Sequence, residues 1–290
     1  MNTEPMQLFR YTEVAPFAAR ATPFLAQHEA EHNLLLGLLA DLAHDPLAFG
    51  EPPYLAAVEQ SSEVVAVALM TPPHHLLVSR TAAPDALALI AEDVALFRPD
   101  LPSLQAPTEV ASTFVRLWER RSGGTATHIF AERIYQLTAV RPPAAVPGHL
   151  RQATVDDRAL VHVWVDAFLR EGLGQIDPAR AARSAERWLA GGTRMLYLWE
   201  DQSGAPVTMA GVTGPTPSGI RVGAVYTPPE QRRRGYASAC VAAVSQLQLD
   251  QGRRFCFLFT DLANPTSNHI YQQIGYQPVC DVDVWGFAYP

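Results

Sequence analysis

The feature that most constrains this fold is a proline-rich break near the middle of the chain. Residues 140–149, VRPPAAVPGH, hold three prolines and a glycine. Proline has no N–H to donate, so neither a helix interior nor a central strand can continue through this stretch. We therefore predict a linker at 141–149 between two domains, 1–140 and 150–290. A length of 290 residues also favours two domains over one.

Composition and charge exclude several classes of partner. The formal net charge is −7, whereas nucleic-acid binding needs a basic surface. The N-terminal residues lack an apolar signal segment, and the longest apolar stretch, LLLGLLADLA, is too short to span a bilayer. We therefore expect a soluble cytoplasmic protein without nucleic-acid or membrane partners.

The three cysteines, Cys240, Cys256 and Cys280, are widely spaced and form no CxxC pair. This spacing predicts free thiols rather than disulfides or a zinc site. Two histidine pairs, His28 with His32 and His74 with His75, lie on different predicted elements. We expect them to be exposed and predict no metal site.

In the second half, apolar periodicity and turn residues predict the order α-α-β-β-β-α-β-α-β-β. Thr154 and Asp177 are the predicted caps of the two helices. The strands are MLYLWED, PVTMAGVTG and IRVGAVYT, then RFCFLFTD after a long helix, and a final strand pair in PVCDVDVWGFAY. The first half follows the same order more weakly, which predicts an internal repeat.

The stretch EQRRRGYAS, residues 230–238, joins the third strand of this meander to the long helix. The first turn of a helix has N–H groups without partners and a partial positive charge. Gly235 would let a ligand approach the backbone, and small residues at 237 and 238 would leave room for it. The pattern therefore favours a phosphate site, with a solvated basic helix cap as the alternative. The P-loop and G-x-G-x-x-G patterns are both absent.

A second motif, ANPTSNHIYQQIGY, follows the next strand. Asn264 is predicted to cap the helix that Pro265 begins, and Gly275 to end it. Tyr271 lies about two turns from the start of that helix. A tyrosine in such a position usually packs in a core, but the order of the two motifs favours a functional role.

Together these motifs resemble the GNAT acyltransferase superfamily. Arg232, Gly235 and Ala237 match the R/Q-x-x-G-x-G/A loop of that family, and Asn264 and Tyr271 match its later Asn and Tyr. The resemblance covers residues 150–290. It implies an α/β (α+β) fold with a mixed, mostly antiparallel sheet flanked by helices, here as two tandem domains.

The resemblance also implies acetyl-CoA as cosubstrate. Its pyrophosphate would lie on the turn at 233–238, and its pantetheine would run beside the third strand. The implied cofactor-binding residues are Val225, Tyr226, Thr227, Arg232, Arg233, Arg234, Gly235, Tyr236, Ala237, Ser238 and Asn264.

The reaction implied is direct transfer of an acetyl group to a primary amine. Tyr271 would hydrogen-bond the departing thiolate, and Glu171 in REGLG would border the acceptor groove as the general base. Asp261 is a second candidate base, although each carboxylate taken alone is better explained as a solvated loop residue. Cys240 and His269 are not expected to take part.

The first half resembles a degenerate GNAT domain. Its strand-to-helix join, VSRTAAPDALAL, lacks glycine, and Glu92 and Asp93 lie in the helix that follows. When the two Pro-Thr pairs are superposed, Asn264 corresponds to Ala106 and Tyr271 to Thr113. We therefore expect only the second half to bind acyl-CoA.

The expected function is an N-acetyltransferase acting on a small-molecule amine, as a monomer or homodimer. A catalytically silent CoA-binding sensor and a protein N-acetyltransferase are the alternatives.

Overall fold

The computed structural model describes residues 4–174 and 177–290. They form two compact units that are not consecutive in sequence. The first contains Met1–Ile134, Thr260–Ala263 and Pro278–Pro290, and the second contains Tyr135–Phe259 and Asn264–Gln277. The predicted domains, 1–140 and 150–290, are the two copies of a sequence repeat, whereas these units are sets of residues in contact. The units therefore do not test the domain ranges, which stay a prediction.

From residue 4 onward, the first half of the chain contains ten α-helices and strands. In chain order they are β1 (Gln7–Tyr11), α1 (Val14–Leu25), α2 (Asn33–His44), β2 (Tyr54–Gln60), β3 (Glu63–Met70), β4 (Leu76–Val78), α3 (Ala86–Phe97), β5 (Ser103–Pro107), α4 (Thr108–Ser122) and β6 (Thr125–Leu137).

The second half repeats that order. Its elements are β7 (His149–Gln152), α5 (Arg158–Leu173), α6 (Pro178–Ala190), β8 (Arg194–Glu200), β9 (Pro206–Thr213), β10 (Gly219–Tyr226), α7 (Tyr236–Asp250), β11 (Phe255–Asp261), α8 (Pro265–Ile274) and β12 (Gln277–Ala288). Both halves therefore read β-α-α-β-β-β-α-β-α-β, which confirms the predicted repeat.

The structure corrects four details of the predicted elements. Strands β1 and β5 were not predicted. Strand β7 begins at His149, inside the stretch read as a proline-rich break, and it pairs with β8 from His149–Glu200 to Gln152–Tyr197. The predicted final strand pair is one strand, β12. Gly286 does not turn the chain, because it pairs with Ser103 of β5.

Each unit has a mixed sheet in which antiparallel pairs predominate. The strand order is β1-β2-β3-β4-β5-β12-β6 in the first unit and β6-β11-β10-β9-β8-β7 in the second, with Tyr135–Leu137 of β6 in the second unit. The pairs β4–β5 and β10–β11 are parallel. The last strand of the second repeat, β12, thus completes the sheet of the first unit.

Helices pack on both faces of each sheet. In the second unit, Trp164 of α5 and Trp188 of α6 pack on one face, and Val241 and Val244 of α7 on the other. In the first unit, α1 and α2 lie over one face and α3 and α4 over the other. Among the described residues, no helix has both the length and the apolarity needed to cross a membrane.

Of the two predicted helix caps in the second unit, Asp177 caps α6, whereas Thr154 does not cap α5. Asp177 Oδ1 accepts from the Ala179 and Arg180 N–H groups at 3.0 and 3.1 Å, so α6 begins at Pro178 as expected. Thr154 caps a single 3-10 turn, Val155–Asp157, that leads into α5. The N-cap residue of α5 is Asp157, which makes no side-chain cap hydrogen bond.

Candidate functional site

The carboxyl end of β10 contains a β-bulge. Gly223 pairs with Gly211 of β9, but Tyr226 pairs with Met209, so β10 has one more residue than β9 between these points. Ala224 has a φ of +48°, a left-handed conformation that residues other than glycine rarely adopt. A bulge leaves the main-chain groups of its extra residue outside the ladder. This bulge was not predicted, although a glycine inside a strand pattern is a known signal for one.

Strands β10 and β11 pair only at their beginnings. The parallel ladder runs from Gly219–Phe255 to Arg221–Phe257, and within the described residues no further pair joins the two strands. Ligands of α/β sheets bind beyond the carboxyl ends of parallel strands. The loop into α7 and the loop into α8 leave the sheet at these two ends, so both predicted motifs belong to one edge of the sheet.

The loop between β10 and α7 ends in a helix N-terminus without a side-chain cap. Arg233 and Gly235 have φ values of +63° and +82°, and Gly235 is the N-cap residue of α7. The first hydrogen bond that the cap carbonyl accepts comes from Ala239 N–H at 3.0 Å. The N–H groups of residues 236–238 therefore lie at the positive end of the helix without partners inside it, as the sequence predicts.

Gly235 is required here for two reasons. Its left-handed backbone strains any residue with a Cβ atom. A Cβ atom at this position would also lie 2.9 Å from Cγ2 of Val146 in the proline-rich segment. The glycine therefore lets the loop, α7 and that segment approach each other.

Arg232 does not point away from the protein, as a free phosphate ligand would. Its Nη2 donates to Oε2 of Glu171 at 2.5 Å and its Nε to the Thr227 carbonyl oxygen at 2.9 Å. Its guanidinium carbon lies 5.9 Å from the centre of the Tyr226 ring. Sequence reasoning assigned Arg232 and Glu171 to separate roles, whereas the structure makes them partners.

This pairing sets the proton affinity of the neighbouring groups. The hydrogen-bonded guanidinium of Arg232 holds the pKa of Glu171 below its usual range. Tyr226 donates its hydroxyl to Oε1 of Glu171 at 3.2 Å, and burial together with that carboxylate raises the pKa of Tyr226. At neutral pH, Glu171 is therefore ionised and Tyr226 is protonated.

A buried threonine fixes the end of β10. The Thr208 hydroxyl of β9 donates to the Tyr226 carbonyl oxygen at 2.8 Å and lies 2.8 Å from the Thr227 hydroxyl. Val225, between the bulge and this anchor, is half-buried. Thr208 was missed by sequence reasoning, because a buried threonine in a strand carries no local signal of its partner.

Tyr271 lies in α8 and is half-buried. Its ring packs edge-on against Tyr276 at 6.0 Å between centroids. No group in the described part of the chain hydrogen-bonds its hydroxyl, and burial raises its pKa to about 12. Tyr271 is thus a protonated donor without a protein acceptor.

Comparisons with known proteins show which folds this chain resembles. Residues 203–285 match a family described as FR47-like protein. Over nearly the whole chain, the fold matches three solved structures at 14–18% identity. One is a GCN5-related N-acetyltransferase from Sphaerobacter thermophilus, with a TM-score of 0.62 at 18% identity, covering 99% of this chain and 98% of that one.

The second is a tandem GNAT protein from the clavulanic acid biosynthesis pathway, with a TM-score of 0.56 at 14% identity. The third is a Drosophila melanogaster protein solved by structural genomics, with a TM-score of 0.68 at 14% identity. Both comparisons cover 98% of each chain. This chain has the tandem GNAT fold. A search of curated proteins finds no match.

Other predicted site residues have structural partners within this GNAT fold. The side chain of Asn264 caps α8 by accepting from Ser267 N–H at 3.0 Å. Asp261 Oδ1 accepts from Ala263 N–H at 2.7 Å. Cys240 is buried in α7, and burial raises its thiol pKa. Asn264 and Cys240 therefore serve structural roles here, and the binding role predicted for Asn264 stays a prediction.

The expectation of exposed histidines is confirmed only for His28, because His74 and His75 are half-buried and His32 is buried. His32 is buried rather than exposed, because its Nδ1 lies 3.0 Å from the Leu25 carbonyl oxygen and its Nε2 accepts from Arg80 N–H at 3.1 Å. Burial lowers the pKa of His32. In the described residues, no group of three or more His, Cys, Asp or Glu side chains could hold a metal.

The equivalent edge of the first unit lacks the left-handed glycine, although α3 also begins without a side-chain cap hydrogen bond. No glycine lies between β4 and α3, and Asp93 of α3 accepts from the Tyr54 hydroxyl at 2.9 Å. Ala106, which corresponds to Asn264, is buried in β5 opposite Asp283. The glycine loop of the second repeat and its Asn264 therefore have no counterparts at this edge.

Proposed function

We propose that this protein is an acyl-CoA-dependent N-acetyltransferase that moves an acetyl group from acetyl-CoA to the primary amine of a small molecule. The observation that carries the proposal is the uncapped N-terminus of α7, which follows a bulged strand and a left-handed Gly235. The protonated Tyr271, on the helix after the neighbouring strand, is the second supporting observation.

The diphosphate of the cosubstrate would be held by main-chain donors. The N–H groups of residues 236–238 are free of intrahelical partners, and phosphate oxygens accept several such bonds at a helix N-terminus. Arg233 and Arg234 are exposed beside them and add attraction for an anion. The bulge at Ala224 and Val225 frees main-chain groups for the amides of pantetheine.

Acetyl-CoA, when bound, supplies the thioester whose carbonyl carbon the amine attacks. A primary ammonium with a pKa near 10.4 must first lose a proton, which costs about 4–5 kcal/mol at pH 7. Glu171 is ionised and borders the strand end, so it is the candidate base, directly or through water. The bulge N–H groups can donate to the carbonyl oxygen as negative charge develops.

Tyr271 is proposed to donate a hydrogen bond to the departing sulfur. Its pKa of about 12 exceeds that of a thiol, roughly 8.5, by a difference that corresponds to about 5 kcal/mol. Full proton transfer is therefore unfavourable, and the hydroxyl stabilises the thiolate as a hydrogen-bond donor. Since that hydroxyl has no protein partner in the described structure, it can serve a ligand without breaking another bond.

One observation favours a second candidate function. The pairing with Arg232 lowers the pKa of Glu171, which makes this carboxylate a weak base while the pair is intact. A silent CoA-binding protein would have the same diphosphate cradle without a competent base.

The experiment that separates the two is an assay of free thiol release from acetyl-CoA. The purified protein is incubated with a panel of aliphatic, aromatic and amino-acid amines and a lysine-containing peptide. An N-acetyltransferase releases CoA with at least one small amine, and Tyr271→Phe slows that release without weakening CoA binding. Selective turnover of the peptide would instead indicate a protein acetyltransferase. Tight CoA binding without release for any amine would favour the silent protein.

A further inference from the structure

Arg232 forms an ion pair with Glu171, whereas its position in the R-x-x-G-x-A loop predicts that it binds the diphosphate of acyl-CoA. Resting on the proposed function, we infer that Glu171 competes with the diphosphate of acyl-CoA for Arg232, so that cosubstrate binding releases the Glu171 carboxylate toward the acceptor. Arg232 is then a positioning residue whose guanidinium exchanges between two anionic partners.

The geometry allows such an exchange. Arg232 precedes Gly235 by three residues, so its long side chain starts in the loop that would hold the diphosphate. Its side chain is 45% exposed and that of Glu171 is 44% exposed. Ion pairs this exposed contribute little to stability, so a bound diphosphate, with more charge than one carboxylate, can take the guanidinium.

The exchange has a chemical consequence. The hydrogen bond from Arg232 is the largest cause that lowers the pKa of Glu171. When the guanidinium leaves, the pKa of Glu171 returns toward its ordinary range and its Oε2 atom becomes free to accept a proton. The base would then be competent only in the presence of cosubstrate.

The first unit offers a matched pair without this function. Arg80, which follows β4, donates to Oε1 of Glu31 at 3.0 Å, and Glu31 precedes α2. The chain there has no glycine loop to bind a diphosphate. Glu31→Gln removes the carboxylate of a Glu–Arg pair that has no glycine loop beside it, so it is the control for Glu171→Gln.

The test is a double-mutant cycle of CoA affinity measured by calorimetric titration. The proteins are the wild type, Glu171→Gln, Arg232→Ala, their double variant and Glu31→Gln. Removal of a competing surface ion pair should tighten CoA binding by up to about fivefold in Glu171→Gln. Arg232→Ala should weaken binding, and adding Glu171→Gln to it should change nothing further. Glu31→Gln should match the wild type.

Each other outcome overturns the inference in a distinct way. Weaker or unchanged CoA binding by Glu171→Gln means that the Glu171–Arg232 pair only stabilises the position of the α5 end. Equal tightening in the presence and absence of Arg232 means that Glu171 only repels the anionic ligand. Binding by none of the five proteins overturns the proposed function itself.

Discussion

Replacement of Gly235 by alanine tests the loop geometry most sharply. Its left-handed backbone should cost about 1–2 kcal/mol for a residue with Cβ. The new Cβ atom would also lie 2.9 Å from Val146 Cγ2, and overpacking of this kind costs about 1–3 kcal/mol. Because Val146 can shift, we take the low end and expect a total loss of about 2–3 kcal/mol in the free energy of unfolding.

Two variants separate these contributions. Gly252 has a φ of +93°, and no atom lies within 4 Å of the position that a Cβ atom would take there, so Gly252→Ala should show the backbone cost alone. Adding Val146→Ala to Gly235→Ala should recover about 1 kcal/mol by removing the crowded methyl group. Urea denaturation followed by circular dichroism gives the order of midpoints. Equal losses for Gly235→Ala and Gly252→Ala, or no recovery with Val146→Ala, would refute the contact argument.

Three further predictions concern individual side chains. Tyr271→Phe should lower turnover by about 10- to 100-fold while CoA affinity, measured by calorimetry, stays within twofold; a parallel loss of affinity would contradict the assigned role. Asp157 accepts from Arg151 at 2.7 Å and from Thr154 N–H at 2.8 Å, which lowers its pKa, so Asp157→Asn should cost about 1–3 kcal/mol at neutral pH. The pKa of Asp157 is lowered in the folded protein, so the stability difference between the wild type and Asp157→Asn should be largest above the ordinary carboxyl pKa, about 4. It should shrink as the pH falls through the lower pKa of the folded protein. A difference in urea midpoints that does not change with pH would contradict this reasoning. Finally, Cys240 and Cys256 are buried, and burial raises the pKa of Cys256 to about 12, so intact mass after incubation with acetyl-CoA should show no acetylated cysteine, and an added acetyl group there would indicate a covalent route.

Local sequence signals predicted the parts of the fold that local physics controls. Asp177, Asn264 and Gly275 were read as helix boundaries and lie at those boundaries. The start of α7 at Gly235 was predicted from the same logic, but the left-handed backbone of that glycine was not.

Features set by distant partners could not be read in this way. The position of β12 beside β5 depends on residues about 180 positions apart, and no local pattern of either strand specifies it. Arg232 appears in sequence as one of three adjacent arginines, and only the approach of the α5 end shows that Glu171 is its partner. The bulge at Ala224 likewise depends on the register of β9.

The most direct test of the proposed function is a calorimetric titration with acetyl-CoA. The wild type is compared with two variants. One is the double variant Arg233→Glu with Arg234→Glu, in which the exposed loop charges are reversed. The other is Arg183→Glu, an exposed change on α6. We expect micromolar binding by the wild type and the α6 control, and loss of binding by the loop variant. No binding by the wild type, or equal binding by all three proteins, would contradict the diphosphate cradle at the start of α7.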